Sequence, residues 1–259
     1  MKNIAFLVSG NIRIYEKNLS FLENLKKEFK NYEIIFICSF WQNQKDLDKF
    51  NKKYRVKFFN QIEEKNWSEE ISKIKYVTSG ENLSYKIQNV FHMWHSITEN
   101  IKFLESVVKE NDMRIDYICR FRTDIMTLKE IKYLKKDLEL IKNNQILFSS
   151  NRHFRGITDL FFIGKYENFL KIKNILLYFQ KFINDERVFD PEYIFYSFLN
   201  ENNFKIKIAY KLDIALIRIE EAKPTKKVFI PFKDKIDMKI AKRKIKLYKL
   251  LNKLRYIFN

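Results

Sequence analysis

Residues 4–11 have the sequence IAFLVSGN, in which an unbroken apolar run is followed by a turn signal. Such a run is typical of a strand that is buried on both faces of a parallel sheet, and Ser-Gly-Asn favours a turn where the strand ends. Residues 18–29 then carry apolar side chains at helical spacing, and EIIFICS at residues 33–39 is a second buried run. The pattern predicts a strand–helix–strand unit with two parallel strands.

The alternation of strand and helix patterns continues along the chain. Further strands are predicted at residues 55–59, 115–121, 145–149, 159–163, 205–209 and 213–218. Helices are predicted at residues 83–109, 129–142, 166–183 and 191–200. This alternation predicts an α/β fold of the Rossmann type, with a mainly parallel sheet flanked by helices. Because there is no internal repeat and no long linker, we expect one domain over residues 1–221 and a basic segment over residues 222–259.

The composition is that of a globular protein. Hydrophobic residues make up 46% of the chain and aromatic residues 16%, which excludes a disordered chain. Cys38 and Cys119 each lie in an apolar run, so we expect two buried thiols in a reducing compartment and neither a disulfide nor a metal site. The first apolar run is too short for a signal peptide, and no run approaches the roughly 20 residues of a membrane span. We therefore expect a cytoplasmic protein whose membrane contacts are peripheral.

The positive charge is concentrated in residues 222–259, which hold 13 Lys or Arg and two Asp and so contribute +11 of the net charge of +18. At helical spacing, residues 236–258 place six large apolar residues near one face: Ile236, Ile240, Leu247, Leu251, Leu254 and Phe258. A basic amphipathic helix of this kind is typical of a membrane-surface element, with about 1 kcal/mol from each basic residue near an anionic bilayer. The alternative is a helix that packs on the domain and exposes its lysines to water.

Polar residues follow the first buried strand, where α/β sheets bind their ligands. Ser9, Gly10 and Asn11 form the predicted turn, and Arg13 follows it. Arg13 could reach a phosphate or a base, although a surface arginine is the commoner explanation. We take these four residues as candidates for ligand binding.

The strongest local signal is the sequence RFRTD at residues 120–124, at the end of the predicted strand 115–121. Alternation places Arg120, Arg122 and Asp124 on one side of an extended chain. Guanidinium groups bind phosphate oxygens bidentately, and a carboxylate can hold a divalent cation that bridges a diphosphate. The alternative is an internal Arg–Asp ion pair that holds a loop.

Two histidines lie three residues apart in the predicted helix 83–109. The spacing of His92 and His95 is compatible with metal binding, but no nearby residue completes a ligand set, so we expect a polar helix face that lines a cleft. The sequence contains neither GxGxxG nor GxxxxGK[ST], which leaves dinucleotide-binding and P-loop functions without support.

Five segments over residues 1–200 together resemble bacterial envelope-polysaccharide glycosyltransferases of the WavE lipopolysaccharide-synthesis type and related capsule enzymes. They are FLVSGNIRIYEKN, EIIFICSFW, QNVFHMWHSI with YICRFRTDI, GITDLFFIGKYENF, and DPEYIFYSFL. The resemblance implies a GT-A fold and transfer of a sugar from a nucleotide-sugar donor. The implied acceptor is an oligosaccharide or a lipid-linked glycan of capsule, lipopolysaccharide or lipooligosaccharide, at the cytoplasmic face of the inner membrane.

The resemblance also implies roles for single residues. The Arg-x-Asp motif stands where GT-A enzymes have DxD, so Asp124 is the candidate ligand for Mn²⁺ or Mg²⁺, while Arg122 in the first position leaves metal dependence open. The candidate donor and diphosphate contacts are Ser9, Gly10, Asn11, Arg13, Arg120, Arg122 and Asp124. Gln88 and Asn89 join them by resemblance alone.

An inverting transferase also needs a carboxylate that accepts the proton of the acceptor hydroxyl. Asp159, at the head of the predicted strand 159–163, is the first candidate, and Glu192, after Pro191, is the second. The alternatives are a turn carboxylate for Asp159 and, for Glu192, the first-turn placement that the helix dipole favours.

Three other functions are compatible with parts of this pattern. A capsular sugar-phosphate transferase would use a similar diphosphate-binding cleft, and a membrane-associated assembly subunit would need no catalytic site. A pI of about 9.6 suggests a nucleic-acid-binding protein. Against this, the aromatic residues fall in apolar core runs and the charge is concentrated in one terminal segment, so we expect no nucleic acid as partner.

Overall fold

A computed structural model describes residues 1–12, 19–42, 44, 46–74, 83–127, 130–149, 157, 159–185, 189–209, 212 and 214–216. Arg13 and the predicted C-terminal helix in residues 222–259 lie outside the described residues, and so does the predicted boundary at residue 221. These three predictions therefore stay predictions.

The described chain alternates strands and helices. The strands are β1 (Lys2–Gly10), β2 (Tyr32–Trp41), β3 (Phe58–Ile62), β4 (Tyr117–Phe121), β5 (Ile125–Thr127), β6 (Gln145–Ser149), β7 (Phe161–Lys165), β8 (Lys205–Ala209) and β9 (Ile214–Leu216). The helices are α1 (Leu19–Glu28), α2 (Leu47–Tyr54), α3 (Ser68–Ser72), α4 (Leu83–Glu110), α5 (Leu134–Glu139), α6 (Tyr166–Lys171), α7 (Ile175–Asn184) and α8 (Pro191–Glu201). None of these helices is long and apolar enough to cross a bilayer.

Seven strands form one sheet in the order β3-β2-β1-β4-β7-β6-β8. The pairs among β3, β2, β1 and β4 are parallel, and so is the pair of β6 and β8, whereas β7 runs antiparallel to both of its neighbours. The prediction of an α/β fold with a mostly parallel sheet is confirmed. The antiparallel β7 fits its short connection, because only residues 150–160 separate it from β6, and parallel crossovers usually need a dozen or more residues.

Both faces of the sheet are covered, and β1 is buried on both of them, as its apolar run predicted. Ala5 and Leu7 pack with α4, α7 and α8, while Phe6 and Val8 pack with α1, α2 and α5 on the other face. In α4 the predicted apolar stripe is buried at all six positions: Ile87, Phe91, Trp94, Ile97, Ile101 and Leu104. This helix crosses the face of β1 and β2, which places its polar residues beside the ends of these strands.

Several predicted bounds differ from the observed ones. The strand predicted at residues 55–59 is β3, which begins three residues later because Arg55 has a left-handed backbone (φ 51°) and ends α2. The last predicted strand, 213–218, is β9, and it pairs with β5 in a separate two-stranded sheet. The helix predicted at 166–183 is divided into α6, a 3₁₀ turn at Ile172–Asn174 and α7.

Candidate active site

The ends of β1 and β4 lie side by side at the point where the strand order reverses. From β1 the chain continues to β2 on one side, while β4 pairs with β1 on the other side, with Leu7 opposite Arg120. In open α/β sheets this switch point is where ligands bind, beyond the carboxyl ends of the strands. The predicted residues of the first turn and of the RFRTD sequence therefore meet at one edge of the sheet.

The turn after β1 requires glycine. Gly10 has a φ of +89°, a left-handed conformation that L side chains rarely adopt. A Cβ at this position would also lie 3.4 Å from Ser96 Oγ and 3.7 Å from Trp41 Nε1. Beside it, Ser96 Oγ donates to Ser9 Oγ at 3.3 Å. The end of β1 is thus packed closely against α4 and β2.

Two side chains hold the residues that follow Gly10. Thr123 Oγ1 donates to the carbonyl oxygen of Asn11 at 3.0 Å. Gln44 Nε2 donates to Asn11 Oδ1 at 3.2 Å, and Gln44 Oε1 accepts from the backbone amide of Ile12 at 3.1 Å. The side-chain oxygen of Asn11 therefore positions this turn, and the turn is tied to the chain that follows β2 and to the chain that follows β4.

Four charged residues form what we call the arginine–aspartate cluster: Arg120, Arg122, Asp124 and Asp159. Arg122 donates to both oxygens of Asp124, from Nε to Oδ1 at 2.8 Å and from Nη2 to Oδ2 at 2.7 Å. Asp159 Oδ2 lies between the two guanidiniums, 3.5 Å from Arg120 Nη1 and 3.6 Å from Arg122 Nη1. Arg120 Nη1 also donates to the backbone carbonyl of Asp159. The cluster joins the end of β4 to the start of β7.

The cluster balances two positive against two negative charges, as burial requires. Burial lowers the pKa of Arg120 to about 10, and the negative charge of Asp159 opposes this shift. Burial also disfavours the charged form of Arg122, but its hydrogen bonds to Asp124 and the charge of Asp159 outweigh this effect and raise its pKa. Both guanidiniums therefore stay charged at neutral pH. The Nε atom of Arg120 is buried and has no hydrogen-bond partner among the described residues.

The geometry changes the interpretation of the two predicted aspartates. Asp124, the candidate metal ligand, accepts a bidentate pair of hydrogen bonds from Arg122, which is the ion pair considered above as the alternative. Asp159, the candidate base, has its carboxylate beside two guanidiniums. This arrangement favours a role for Asp159 in positioning the arginines over a role as proton acceptor.

The remaining predicted residues lie on α4 and α8. Gln88 is half-buried and Asn89 is exposed, both near the start of α4. Glu192 lies in the first turn of α8, which Asp190 caps by accepting from the amide of Tyr193 at 3.2 Å. The carbonyl of Glu192 accepts from the amide of Ile157 at 3.3 Å, two residues before Asp159. Glu192 thus belongs to the element that holds the chain leading into the cluster.

Trp41, at the end of β2, packs against the two histidines of α4. The Trp41 ring is 5.5 Å from that of His92 and 6.0 Å from that of His95, the latter in a stacked arrangement. Burial lowers the pKa of His95, which is therefore neutral at pH 7. His92 Nε2 lies 3.0 Å from the carbonyl oxygen of Lys65. These contacts place the histidines in an aromatic group beside the turn after β1.

Asn100 is a residue of the site that the sequence analysis missed. Its Nδ2 donates to the carbonyl oxygens of Val8 at 3.1 Å and Ile37 at 3.4 Å, and its Oδ1 accepts from Ser39 Oγ at 3.0 Å. Asn100 is 1% exposed and so links the ends of β1 and β2 from within the core. The sequence did contain a signal for this residue, because the side-chain amide of Asn100 lies between Ile97 and Ile101, directly beside the apolar stripe of α4.

Replacing Asn100 by alanine is expected to lower the free energy of unfolding by about 2 kcal/mol, because buried polar groups of β1 and β2 lose their partner. Chemical denaturation of both proteins measures this difference. Asn111→Ala is the control, because Asn111 is exposed and lies directly after α4. Its side chain makes one hydrogen bond, to the carbonyl oxygen of Val107. Its cost should stay within about 0.5 kcal/mol. Equal costs for the two variants would contradict a structural role of Asn100 at the strand ends.

No protein-family model matches this chain, and no curated protein matches it as a relative. The resemblance to envelope-polysaccharide glycosyltransferases therefore stays a prediction from the quoted segments. The geometry at the ends of β1, β2 and β4 is the basis for a proposed function.

Proposed function

We propose that the protein is a glycosyltransferase that moves a sugar from a nucleotide-sugar donor to a bacterial cell-surface polysaccharide of capsule, lipopolysaccharide or lipooligosaccharide. The observation that carries the proposal is the arginine–aspartate cluster at the switch point of the sheet. It holds two charged guanidiniums beside a tight glycine turn, at the edge where α/β sheets bind nucleotides.

The chemistry of glycosyl transfer suits this cluster. When the sugar leaves a nucleoside diphosphate, negative charge grows on the departing oxygen. Donors that are already oriented toward such charge are each worth about 10²–10³ in rate, or roughly 2.7–4 kcal/mol. Arg122 is oriented by Asp124 and by Asp159 before any ligand arrives, and so it loses little freedom on binding a phosphate.

A GT-A fold is the finer part of the proposal. It is supported by a mostly parallel sheet flanked by helices, and by an Arg-x-Asp motif that directly follows β4, where the resemblance places the DxD of GT-A enzymes. In this arrangement Ser9, Gly10 and Asn11 form the donor side of the cleft. Glu192 remains the candidate base for the acceptor hydroxyl.

The proposed place of action is the cytoplasmic face of the inner membrane, where lipid-linked acceptors are available. The support is the sequence of residues 222–259, with 13 basic residues and an apolar helical face. The described residues neither include nor test this segment.

Thermal shifts with UDP, GDP, CMP and their sugars test the proposed function. A ligand at 100 times its Kd adds about 2.7 kcal/mol to the free energy of unfolding, which raises Tm measurably. We expect one nucleotide class to raise Tm in the wild-type protein and not in Arg122→Ala. If no nucleotide raises Tm, the proposal is wrong. With a UDP-sugar as donor, release of UMP in place of UDP would indicate sugar-phosphate transfer.

A further inference from the structure

The arginine–aspartate cluster also indicates how the donor diphosphate is neutralised, an inference that rests on the proposed transferase function. In a DxD-type site a divalent cation is held by carboxylate oxygens and bridges the phosphates. Mn²⁺ and Mg²⁺ are hard cations that need several oxygen ligands.

The described residues do not fit a divalent cation. Both oxygens of Asp124 already accept hydrogen bonds from Arg122, so a cation on Asp124 would have to bind beside a guanidinium that repels it. Asp159 Oδ2 is within 4 Å of both arginines. Over the part of the chain that the structure describes, no group of three or more His, Cys, Asp or Glu side chains is placed to hold a metal ion.

The exposure of the four side chains favours an anion instead. Arg122 is the most exposed of them, at 25%, followed by Asp159 at 18%, Asp124 at 8% and Arg120 at 3%. The most accessible charge of the cluster is therefore a guanidinium, which can bind a phosphate and cannot ligate a cation.

We propose that the Arg122 guanidinium takes the place of the divalent cation, so that a nucleoside diphosphate binds without metal and displaces the Asp124 carboxylate from the guanidinium. The exchange replaces one bidentate anionic partner of Arg122 by another. Arg120, held by Asp159, supplies a second positive charge behind it. Asp124 then occupies the position of the phosphate and keeps Arg122 oriented until the diphosphate binds.

Isothermal titration calorimetry with UDP and GDP tests this inference, once with EDTA and once with Mn²⁺. We expect the Kd of the diphosphate that binds to agree within about twofold between the two conditions. Replacing Asp124 by asparagine removes the competing negative charge and should tighten binding in EDTA by about threefold or more. With Mn²⁺ present the same change should still tighten binding, whereas replacing a carboxylate that held the metal would weaken binding there.

The second Arg-x-Asp sequence of the chain provides a matched control. Arg114 donates to Asp116 Oδ1 at 3.0 Å from Nη2 and at 3.2 Å from Nε, but this pair precedes β4 and so lies at the opposite edge of the sheet. Asp116→Asn should leave the Kd of the nucleotide as it is in the wild-type protein. Any general effect of neutralising an Arg-paired aspartate would appear in both variants.

The possible results separate this inference from the proposed function. Diphosphate binding that needs Mn²⁺, or weaker binding in Asp124→Asn, would overturn the inference and leave the transferase proposal in place. Binding of CMP alone would do the same, because the inference concerns a diphosphate. Binding of no nucleotide under either condition would overturn both.

Discussion

Replacing Arg122 by alanine is expected to lower the rate of nucleoside diphosphate release from the donor by about 10²–10³-fold. The physical reason is that Arg122 is the most exposed positive charge of the cluster and is oriented by two carboxylates before the donor binds. The measurement is the turnover of the nucleotide sugar that the thermal-shift panel identifies, with water or glycan as acceptor.

Arg114→Ala is the control for Arg122→Ala, because it removes the arginine of the other Arg-x-Asp pair at the opposite sheet edge. Its turnover should match that of the wild-type protein. Arg122→Lys keeps the positive charge but loses the planar guanidinium group. Its turnover should lie between that of Arg122→Ala and that of the wild-type protein. Circular dichroism spectra and Tm values confirm that each variant is folded under the assay conditions. Equal turnover in Arg122→Ala and Arg114→Ala would contradict a role of the cluster in transfer.

Replacing Asp159 by alanine is expected to lower the free energy of unfolding by about 3 kcal/mol, because it leaves a buried guanidinium without its carboxylate. Arg120 is 3% exposed and lies 3.5 Å from Asp159 Oδ2, so water cannot replace the lost partner easily. Denaturation by urea, monitored by circular dichroism, measures the difference from the wild-type protein.

A double-mutant cycle shows whether the loss comes from the unpaired charge. In Arg120→Met with Asp159→Ala the buried charge is absent, so the double variant should be more stable than Asp159→Ala alone. If the losses in free energy of unfolding of the two single variants simply add in the double variant, this would contradict the pairing of Arg120 with Asp159. A cost below about 1 kcal/mol for Asp159→Ala would show that the pair behaves like an exposed one.

Much of the fold follows from local periodicity. The apolar runs of β1 and β2 and the buried stripe of α4 were all predictable, because burial on two faces or on one helical face leaves a repeat in the sequence itself. The antiparallel direction of β7 was not predictable in this way. Strand direction depends on the connection between two strands, and an apolar run such as FFIGK has the same pattern in either direction.

In the candidate site, too, local features were predictable from the sequence and contacts between distant residues were not. Its position was predictable, because turn residues and charged residues directly follow the two strand patterns that flank the switch point. Asp159 was selected as a carboxylate near a strand, but its partners were not predictable from sequence, since it contacts Arg120 across 39 residues of chain. Asn100 was missed for the same reason: its partners in β1 and β2 lie 92 and 63 residues away.

The sequence by itself determined that this chain is an α/β protein and that Arg120, Arg122 and Asp124 stand at the carboxyl end of a strand. Only the tertiary structure decided what these charges do to one another. A sequence specifies which groups are charged, whereas the energy of a charge depends on its distance to other charges and on its burial, and both are set by packing between distant segments. Here that packing placed Asp159 beside Arg120 and Arg122, which lie far from it in the sequence.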